Sequence, residues 1–251
     1  MRTVIVTGAS SGIGRATAMR FAVAGYGVLA VGRNATALDE LVGSVPDGAG
    51  RCSPFTADVT EPDAPGLIIE AAIGTYGRLD VLVNAAGVIG SGTIESTTDL
   101  QADAMMDVNL RAPFRLLRAA VPALEQTGGC VVNVSSVAGL RAFPGVLAYC
   151  VSKAALDQLT RCSALELAPK GVRVNAVNPG VVVSNLHRRS GMTEDAYEKF
   201  LEHSKATHPL GRTGDPAEVA DLILFLATEG AAWITGATIS IDGGRHLTCA
   251  R

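Results

Sequence analysis

The sequence has few aromatic side chains and no marked excess of either charge. Aromatic residues make up 4% of its 251 positions and tryptophan occurs once, whereas hydrophobic residues make up 48%. This composition predicts a core of Val, Ile, Leu and Ala beneath helices, which is typical of a parallel sheet. The 21 basic and 24 acidic residues leave a formal net charge of −3. Because the two signs are interspersed, no basic surface is indicated and we expect no nucleic-acid partner.

Long apolar runs are also lacking. No run of apolar residues reaches the roughly 18 positions that a membrane-spanning helix requires. The first strand-like run begins at Thr3, which leaves no room for a signal peptide. We therefore expect a cytoplasmic protein with no membrane partner.

Motifs that hold metals or form disulfides are missing as well. The five cysteines are odd in number, none belongs to a CxxC pair, and the four histidines are too scattered for a zinc set. We expect no catalytic metal and reduced thiols, most of them buried in the core. The cysteines are Cys52, Cys130, Cys150, Cys162 and Cys249.

Tyr149 and Lys153 stand four residues apart in a pattern that favours a helix. Positions i and i+4 share one face of a helix, so the phenol and the ammonium can address the same small volume. A tyrosine with an ordinary pKa of about 10 is a poor proton shuttle at neutral pH, and lowering that pKa by about three units needs about 4 kcal/mol of differential stabilisation. A nearby ammonium supplies part of that stabilisation. The pair indicates a general acid and base for a carbonyl or alcohol oxygen; the alternative is an amphipathic helix with an exposed lysine.

A glycine-rich turn follows the β-branched run at residues 3–7 and opens into a helical pattern. Gly8 allows a tight turn, Gly12 lets the backbone approach a pyrophosphate, and Gly14 lets the helix pack closely on the strand. The amino end of the helix then faces the anion. The segment indicates a dinucleotide site, with a plain strand-to-helix turn as the alternative.

These patterns belong to a larger set that resembles the short-chain dehydrogenase/reductases from residue 3 to residue 244. In chain order the set is TGASSGIG at 7–14, NAAG at 84–87, Asn109, Ser136, YCVSK at 149–153 and NPG at 178–180. The resemblance implies one domain over residues 1–251 with a doubly wound, parallel, seven-stranded α/β sheet of Rossmann type and helices on both faces. The alternation of strand and helix patterns independently favours such a sheet.

The patterns also place the elements along the chain. Strands are predicted near 3–7, 28–32, 52–57, 80–83, 129–134, 172–177 and 237–241, and helices near 13–25, 36–43, 63–76, 99–125, 149–168, 192–205 and 216–227. Ligands of open α/β sheets bind beyond the carboxyl ends of the strands. The irregular segment 185–209 is therefore predicted to be a substrate lid, and segments 88–93 and 140–146 are expected to help select the substrate.

The resemblance implies four catalytic residues, Asn109, Ser136, Tyr149 and Lys153. Ser136 would hold the substrate oxygen while Tyr149 moves the proton, with plain strand-end capping as the alternative for Ser136. Lys153 would lower the pKa of the tyrosine and hold the nicotinamide ribose. Asn109 would help to hold a water that connects Lys153 to solvent. As a buried polar group in a helical pattern, Asn109 must find hydrogen-bond partners in any case.

The resemblance further implies a nicotinamide cofactor, with NADP(H) preferred and NAD(H) possible. Where NAD-preferring relatives carry an acid, the sequence has Gly32, so no carboxylate is expected to repel a phosphate there. Arg33 follows, and a guanidinium can grip phosphate oxygens. Ser11 leaves the use of both cofactors open, because many NADP-preferring relatives have a basic residue there. Asp58 is assigned to the adenine, with a helix N-cap as its alternative.

The full set of residues predicted to contact the cofactor is Gly8, Ser10, Ser11, Gly12, Ile13, Gly14, Arg33, Asn34, Asp58, Val59, Asn84, Ala85, Gly87, Tyr149, Lys153, Pro179, Gly180, Val182 and Ser184.

The predicted activity is a reversible hydride transfer between NADP(H) and a small ketone or secondary alcohol. A 3-oxoacyl-acyl-carrier-protein reductase is the first alternative, disfavoured because segment 123–129 lacks the Arg and Lys that would dock an acidic carrier near the active-site mouth. A non-catalytic cofactor-binding sensor on the same fold is the second. The resemblance also implies a homotetramer that pairs through helices 99–125 and 149–168; the alternative is that the apolar faces of these helices pack only against their own sheet. Whether Arg188 and Arg189 contact substrate or water stays open.

Overall fold

The computed structural model describes residues 1–248, which form seven strands and ten α-helices. The strands are β1 (Thr3–Thr7), β2 (Gly27–Gly32), β3 (Cys52–Thr56), β4 (Val81–Asn84), β5 (Cys130–Val134), β6 (Arg173–Pro179) and β7 (Thr238–Ile241). The helices are α1 (Gly12–Val23), α2 (Ala35–Gly43), α3 (Ala64–Tyr76), α4 (Asp99–Met106), α5 (Ala112–Thr127), α6 (Val137–Leu140), α7 (Leu147–Leu167), α8 (Leu186–Arg189), α9 (Glu194–Thr207) and α10 (Pro216–Leu226).

All seven strands lie in one parallel sheet in the order β3-β2-β1-β4-β5-β6-β7. Successive side chains of a strand point to opposite faces, and both faces are covered. Val4 and Val6 pack in one core with Phe21 of α1, whereas Ile5 packs in the other with Leu116 of α5. The predicted doubly wound Rossmann sheet with helices on both faces is confirmed.

The helix ends follow local sequence signals. Thr98 and Gln101 form a reciprocal capping box at the start of α4, and Asp215 and Glu218 form another at the start of α10. Each box satisfies two backbone N–H groups that the first helical turn leaves without partners. Gly128 ends α5 in the left-handed conformation with φ at +59°, where a side chain is disfavoured.

One predicted helix is divided. Residues 99–125 were expected to form a single helix, but a π-helical turn at Asp107–Arg111 separates α4 from α5. Pro113 in the first turn of α5 has no N–H to donate to the carbonyl four residues earlier, which is a local cause of the wider turn. The short helices α6 and α8 were not predicted, and the other boundaries agree to within about two residues.

The strand order reverses between β1 and β4, so the crevice at the carboxyl ends of these strands is the expected ligand site of such a sheet. No helix within residues 1–248 combines the length and apolarity needed to cross a membrane. Of the four cysteines described, only Cys130 is buried, Cys52 and Cys150 are half-buried and Cys162 is exposed. The expectation that most thiols are buried is therefore wrong, and Cys249 lies outside the described residues.

Candidate active site and cofactor cleft

The glycine-rich turn closes tightly against the end of β4. Gly8 has φ at +70°, and a Cβ there would come within 2.8 Å of the Ala85 carbonyl oxygen and of Ala86. A Cβ on Gly14 would overlap the Gly8 carbonyl. Thr7 locks the arrangement, because its Oγ1 accepts hydrogen bonds from the N–H groups of Ala85 and Ala86, both at 3.1 Å. Only glycine fits these turn positions, so the backbone itself lines the crevice.

A cleft of about 300 Å³ runs from this turn to the ends of β2 and β3. It brings together seven of the residues that the sequence assigns to the cofactor, and the residues not so assigned include a charged one, Arg189 of α8. The seven are Gly8, Ser10, Arg33, Asn34, Asp58, Val59 and Gly87.

The other assigned residues lie around this cleft. Gly12 and Ser184 line a separate groove, and a Cβ on Gly12 would lie 3.2 Å from the Ser184 Cβ. Gly180 and Val182 line a smaller cavity beside His208. Ser11 precedes α1, Ile13 packs against the core, and Asn84 is buried with its amide donating to Asn133 Oδ1 at 2.8 Å.

The strand-end charges differ from the expectation in one respect. Arg33 follows Gly32 as predicted and its side chain is 70% exposed, but its Nη1 lies 3.5 Å from Asp58 Oδ2. Although burial raises the pKa of Asp58, hydrogen bonds from Thr60 and the nearby guanidinium lower it below its ordinary value. An ionised carboxylate therefore stands beside Arg33, contrary to the expectation drawn from Gly32 alone.

Asp58 does not cap a helix. Its Oδ1 accepts from the Thr60 N–H at 3.0 Å and from the Thr60 hydroxyl at 2.7 Å, whereas α3 begins at Ala64. This short turn directs the carboxylate into the cleft. The alternative assignment of Asp58 as a helix N-cap is wrong.

The predicted catalytic residues are all buried at the carboxyl ends of β4 and β5. Tyr149 is 8% exposed, Lys153 4%, Ser136 8% and Asn109 0%. Tyr149 and Lys153 share one face of α7, and the Lys153 Nζ lies 5.8 Å from the centre of the tyrosine ring. The alternative of an exposed lysine on an ordinary amphipathic helix is therefore wrong.

Burial sets the protonation of this pair. It raises the pKa of Tyr149, and a hydrogen bond with Ser136 only partly opposes that effect. It also lowers the pKa of Lys153 to about 8, against the opposing charge of Asp157. The Lys153 ammonium donates to the Val134 carbonyl at 2.8 Å and not to the phenol. The expectation that the lysine lowers the tyrosine pKa is not met in this structure, because desolvation of the phenol is the larger effect.

Ser136 caps a helix and also faces Tyr149. Its Oγ accepts from the Ala138 N–H at 3.1 Å and caps α6, and the same hydroxyl lies beside the Tyr149 phenol. Ser135 turns away, as the alternation of a strand predicts, and donates to the Lys153 carbonyl at 3.2 Å. Of the two serines, Ser136 is the one that faces Tyr149.

Asn109 occupies the π-helical turn and finds a full set of partners. Its Nδ2 donates to the Val88 carbonyl at 2.9 Å and to Ser152 Oγ at 3.0 Å, and its Oδ1 accepts from the Val88 N–H at 2.9 Å. A Cβ on Gly87 would lie 3.4 Å from Asn109 Oδ1 and 3.6 Å from Lys153 Nζ. Asn109 thus fixes the chain after β4 directly beside Lys153.

The segment predicted to be a lid contains α8 and α9 and is tied to the end of β6. The Tyr197 hydroxyl donates to the Ser184 carbonyl at 2.9 Å and accepts from its N–H at 3.1 Å. His208 Nε2 accepts from the Val181 N–H at 3.1 Å. Arg188 forms an ion pair with Glu194 inside the segment. Its neighbour Arg189 instead lines the cleft.

An apolar cluster adjoins Tyr149 on the side of segments 88–93 and 140–146, which pair through a bridge between Gly92 and Val146. The cluster consists of Met105, Ala138 and Tyr149 with Val88, Ile89, Phe143, Val146, Ala148 and Cys150 packed against them. Within residues 1–248 no three His, Cys, Asp or Glu side chains are arranged to hold a metal. On this side the surroundings of the tyrosine are mainly apolar.

The sequence analysis did not identify Asp157 and did not assign Arg189 to the cofactor cleft. Asp157 is buried one helical turn beyond Lys153, and its i+4 spacing was a visible signal. For Arg189 the sequence left contact with substrate or with water open, because its position depends on how α8 packs.

Comparison with known proteins gives consistent matches over almost the whole chain. The family model described as Enoyl-(Acyl carrier protein) reductase matches residues 8–246. The 3-oxoacyl-[acyl-carrier-protein] reductase FabG of Thermotoga maritima is 39% identical over 244 residues, which cover 97% of each chain. A 3beta-hydroxysteroid dehydrogenase of Mediterraneibacter gnavus is 37% identical over 259 aligned residues, which cover 97% of this chain and 94% of the relative. The crystal structure of a short-chain dehydrogenase/reductase of unknown function from Caenorhabditis elegans, solved with cofactor, superposes with a TM-score of 0.93 at 37% identity and covers 99% of this chain and 96% of that chain.

Proposed function

This chain belongs to the short-chain dehydrogenase/reductase family and is an oxidoreductase acting on alcohol or ketone groups, and from that premise we propose that it transfers a hydride between NADP(H) and a small ketone or secondary alcohol. The observation that carries the proposal is the burial of Ser136, Tyr149 and Lys153 together beside a cleft lined by backbone glycine. The first two supply hydroxyl donors for one oxygen atom, and the third supplies a charge.

The residues present fit a dinucleotide. The turn at Gly8 and Gly14 excludes side chains, so a pyrophosphate can approach the backbone N–H groups at the start of α1. Arg33 and Arg189 bring positive charge to the cleft, and Val59 offers an apolar contact for an adenine. Lys153 would hold the ribose hydroxyls next to the nicotinamide.

In the direction of reduction, the bound nicotinamide supplies the hydride. Tyr149 and Ser136 donate hydrogen bonds to the substrate oxygen and stabilise the negative charge that develops on it. Tyr149 then transfers its proton to that oxygen. Lys153, with a pKa of about 8, is largely protonated at neutral pH and can return a proton to the Tyr149 phenolate. Asn109 holds Gly87 and Val88 against Lys153 and so keeps this geometry fixed.

The raised pKa of Tyr149 bears on the direction of the reaction. A phenol with a raised pKa stays protonated at neutral pH, and the protonated form is the one that reduction needs. Oxidation of an alcohol needs a phenolate to accept a proton. The resting enzyme therefore holds the protonated phenol that reduction uses, and oxidation would first require loss of that proton.

The cofactor preference rests on the balance of charge at the adenosine end. A 2′-phosphate would meet Arg33, and no acid stands at Gly32, while Arg189 of α8 adds a second cation to the cleft. Asp58 works against this preference because its carboxylate is 3.5 Å from Arg33. Two guanidinium groups against one carboxylate leave a net positive charge, which supports NADP(H) with NAD(H) as a weaker second cofactor.

A 3-oxoacyl-acyl-carrier-protein reductase remains a second candidate, supported by the 39% identity with the T. maritima enzyme. The segment 123–129, used to disfavour it, precedes β5 and lies at the amino end of that strand, whereas Ser136 and Tyr149 lie at the carboxyl end. Within one chain that segment does not border the active site, so its lack of basic residues does not decide between the candidates.

Exposed apolar side chains support the proposed homotetramer. Leu100 of α4 is 80% exposed, Leu165 of α7 is 79% exposed and Trp233 before β7 is 100% exposed. Leu100 and Leu165 lie on helices through which the homotetramer is proposed to pair, and burial between subunits would remove both side chains from water.

A direct test is the initial rate of NADPH oxidation with a panel of cyclic and linear ketones, beside 3-oxoacyl thioesters with and without a carrier protein. Turnover of free ketones supports the first candidate. Turnover restricted to carrier-bound thioesters supports the second. NADPH binding without any turnover in either set would favour the non-catalytic sensor.

A further inference from the structure

Asp157 is a carboxyl group that neither the proton transfer nor the cofactor cleft uses. The residue is 1% exposed. Tyr149, Lys153 and Asp157 follow one another at intervals of four residues and therefore share one face of α7. Buried acids are uncommon unless they are paired or hydrogen-bonded. The contacts of Asp157 should then explain why a carboxyl lies on this face.

Asp157 is linked to the main chain of Ser136. The Asn178 amide donates to Asp157 Oδ2 at 2.9 Å and to Oδ1 at 3.2 Å, and the same amide donates to the Ser136 carbonyl at 2.9 Å. Asn178 lies in β6, next to the strand that Ser136 follows. One amide thus joins the carboxylate on α7 to the backbone of the residue that faces Tyr149.

The Asp157 carboxylate is packed so closely against Gly139 that no residue with a side chain would fit at that position. A Cβ on Gly139 of α6 would overlap Asp157 Oδ2 and would come within 3.0 Å of the Lys153 carbonyl group. The Ser135 hydroxyl donates to that carbonyl at 3.2 Å and also lies close to the Asp157 carboxylate. The ends of β5, α6 and β6 therefore all meet Asp157 at close range.

The charge of Asp157 acts on Lys153. Burial raises the pKa of Asp157, and hydrogen bonds from Ser135 and Asn178 with the charges of Arg161 and Lys153 oppose this effect. Asp157 in turn raises the pKa of Lys153, which burial lowers to about 8.

The charged neighbours of Asp157 among the described residues are Lys153 and Arg161 of its own helix. The groups that β5, α6 and β6 bring against it are Ser135, Gly139 and Asn178, none of which titrates in the accessible range. The negative charge of Asp157 thus offsets part of the free-energy cost of burying the Lys153 ammonium.

We propose that Asp157 is a positioning residue of the reaction, whose carboxylate keeps the Lys153 ammonium charged and, through Asn178, holds the backbone of Ser136 in place. The inference rests on the proposed function, because it assigns Asp157 to the same proton path. The carboxylate itself neither gains nor loses a proton in the cycle. It acts through Lys153 and Ser136, which would contact cofactor and substrate.

The test measures cofactor binding and needs no turnover. The affinity for NADPH is followed by its fluorescence from neutral to alkaline pH in Tyr149→Phe, where the phenol no longer titrates, and in Tyr149→Phe with Asp157→Asn. Loss of the Asp157 charge lets Lys153 lose its proton at lower pH. We expect the midpoint at which affinity falls to move to lower pH by about one unit, the low end of the effect of one nearby charge.

The matched control is Tyr149→Phe with Glu166→Gln, which removes a carboxylate from the exposed side of the same helix and should leave the midpoint in place. An unchanged midpoint in the Asp157 variant would overturn the proposal. Absence of NADPH binding in Tyr149→Phe at every pH would instead refute the proposed function. If Asp157→Asn does not fold, Asp157→Ser replaces it. That variant also removes the negative charge and leaves a small hydroxyl, so a shift in the same direction is expected, and no shift would again overturn the proposal.

Discussion

The ammonium of Lys153 donates a hydrogen bond to the carbonyl oxygen of Val134 at 2.8 Å, at the last residue of β5. The Tyr149 ring lies 5.8 Å away. The lysine is thus anchored on the strand end beside the Tyr149 ring. This anchoring places a cation in a buried site, and burial has a measurable cost.

Replacement of Lys153 by methionine should stabilise the fold at neutral pH. The pKa of Lys153 is about 8 in the folded state, below its ordinary value of 10.5. Unfolded chains then bind more protons between these values, so the stability of the parent rises with pH across that window. We expect Lys153→Met to exceed the parent by up to about 3 kcal/mol near neutral pH, with the difference shrinking as the pH approaches 10.5.

Urea unfolding at a series of pH values measures this difference. Lys199→Met, which removes an exposed lysine from α9, should show no such pH dependence. A Lys153→Met advantage that stayed constant with pH would show that the lysine is not desolvated.

The pH dependence should differ between the two directions of the reaction. Burial raises the pKa of Tyr149, so reduction proceeds from a protonated phenol at neutral pH and oxidation needs alkaline conditions to form the phenolate. We expect kcat/KM for alcohol oxidation to rise with pH up to at least the ordinary tyrosine range, while that for ketone reduction is level around neutrality and falls at alkaline pH. Parallel pH profiles for the two directions would contradict this assignment.

Arg189 should contribute to the binding of cofactor phosphates. Arg189→Ala removes a guanidinium from the cleft, and we expect NADPH affinity to fall by about tenfold, as for one charge-assisted hydrogen bond. Titration with NADH locates the contact: an equal loss points to the pyrophosphate, and a loss confined to NADPH points to the 2′-phosphate. Arg33→Ala should weaken NADPH selectively.

Arg51→Ala is the control, because Arg51 is exposed and precedes β3 at the amino end of that strand. Unchanged affinity for both cofactors in Arg189→Ala would remove α8 from the cofactor site.

The assembly should depend on the exposed apolar residues of α4 and α7. Light scattering of the parent should give four times the 25.8 kDa chain mass. Leu100→Lys with Leu165→Lys should lower that mass, because two charges would be buried at the interface. Val23→Lys, a similar change at a 55% exposed position of α1, should not. A parent that is monomeric at micromolar concentration would contradict the tetramer.

Much of the fold could be predicted because its signals are local. Apolar β-branched runs such as the one beginning at Thr3 are typical of buried strands in parallel sheets. The turn at Gly8 requires glycine because its φ is positive and no Cβ fits there. The π-helical turn that carries Asn109 was not predicted, because its sequence cause, Pro113, is also common at ordinary helix starts. Arg189 could not be placed from sequence, since its position depends on tertiary packing of α8.

The protonation states were the hardest part to predict. The spacing of Tyr149 and Lys153 shows that the two groups share a face, but a pKa depends on how deeply each group is buried and on what else is near. Sequence alone gave neither the Val134 carbonyl as the partner of Lys153 nor Asp157 as its counter-charge. Both became visible only once β5 and β6 were placed against α7.

Proton transfer by Tyr149 is tested most directly by the turnover of Tyr149→Phe with NADPH and the best ketone of the panel. The substitution removes the hydroxyl and leaves Lys153 and the cleft unchanged. We expect kcat to fall by about 10²–10⁴-fold while the affinity for NADPH stays close to that of the parent. Retention of more than about a tenth of the parent activity, far above the loss expected for a missing general acid, would contradict the role assigned to Tyr149.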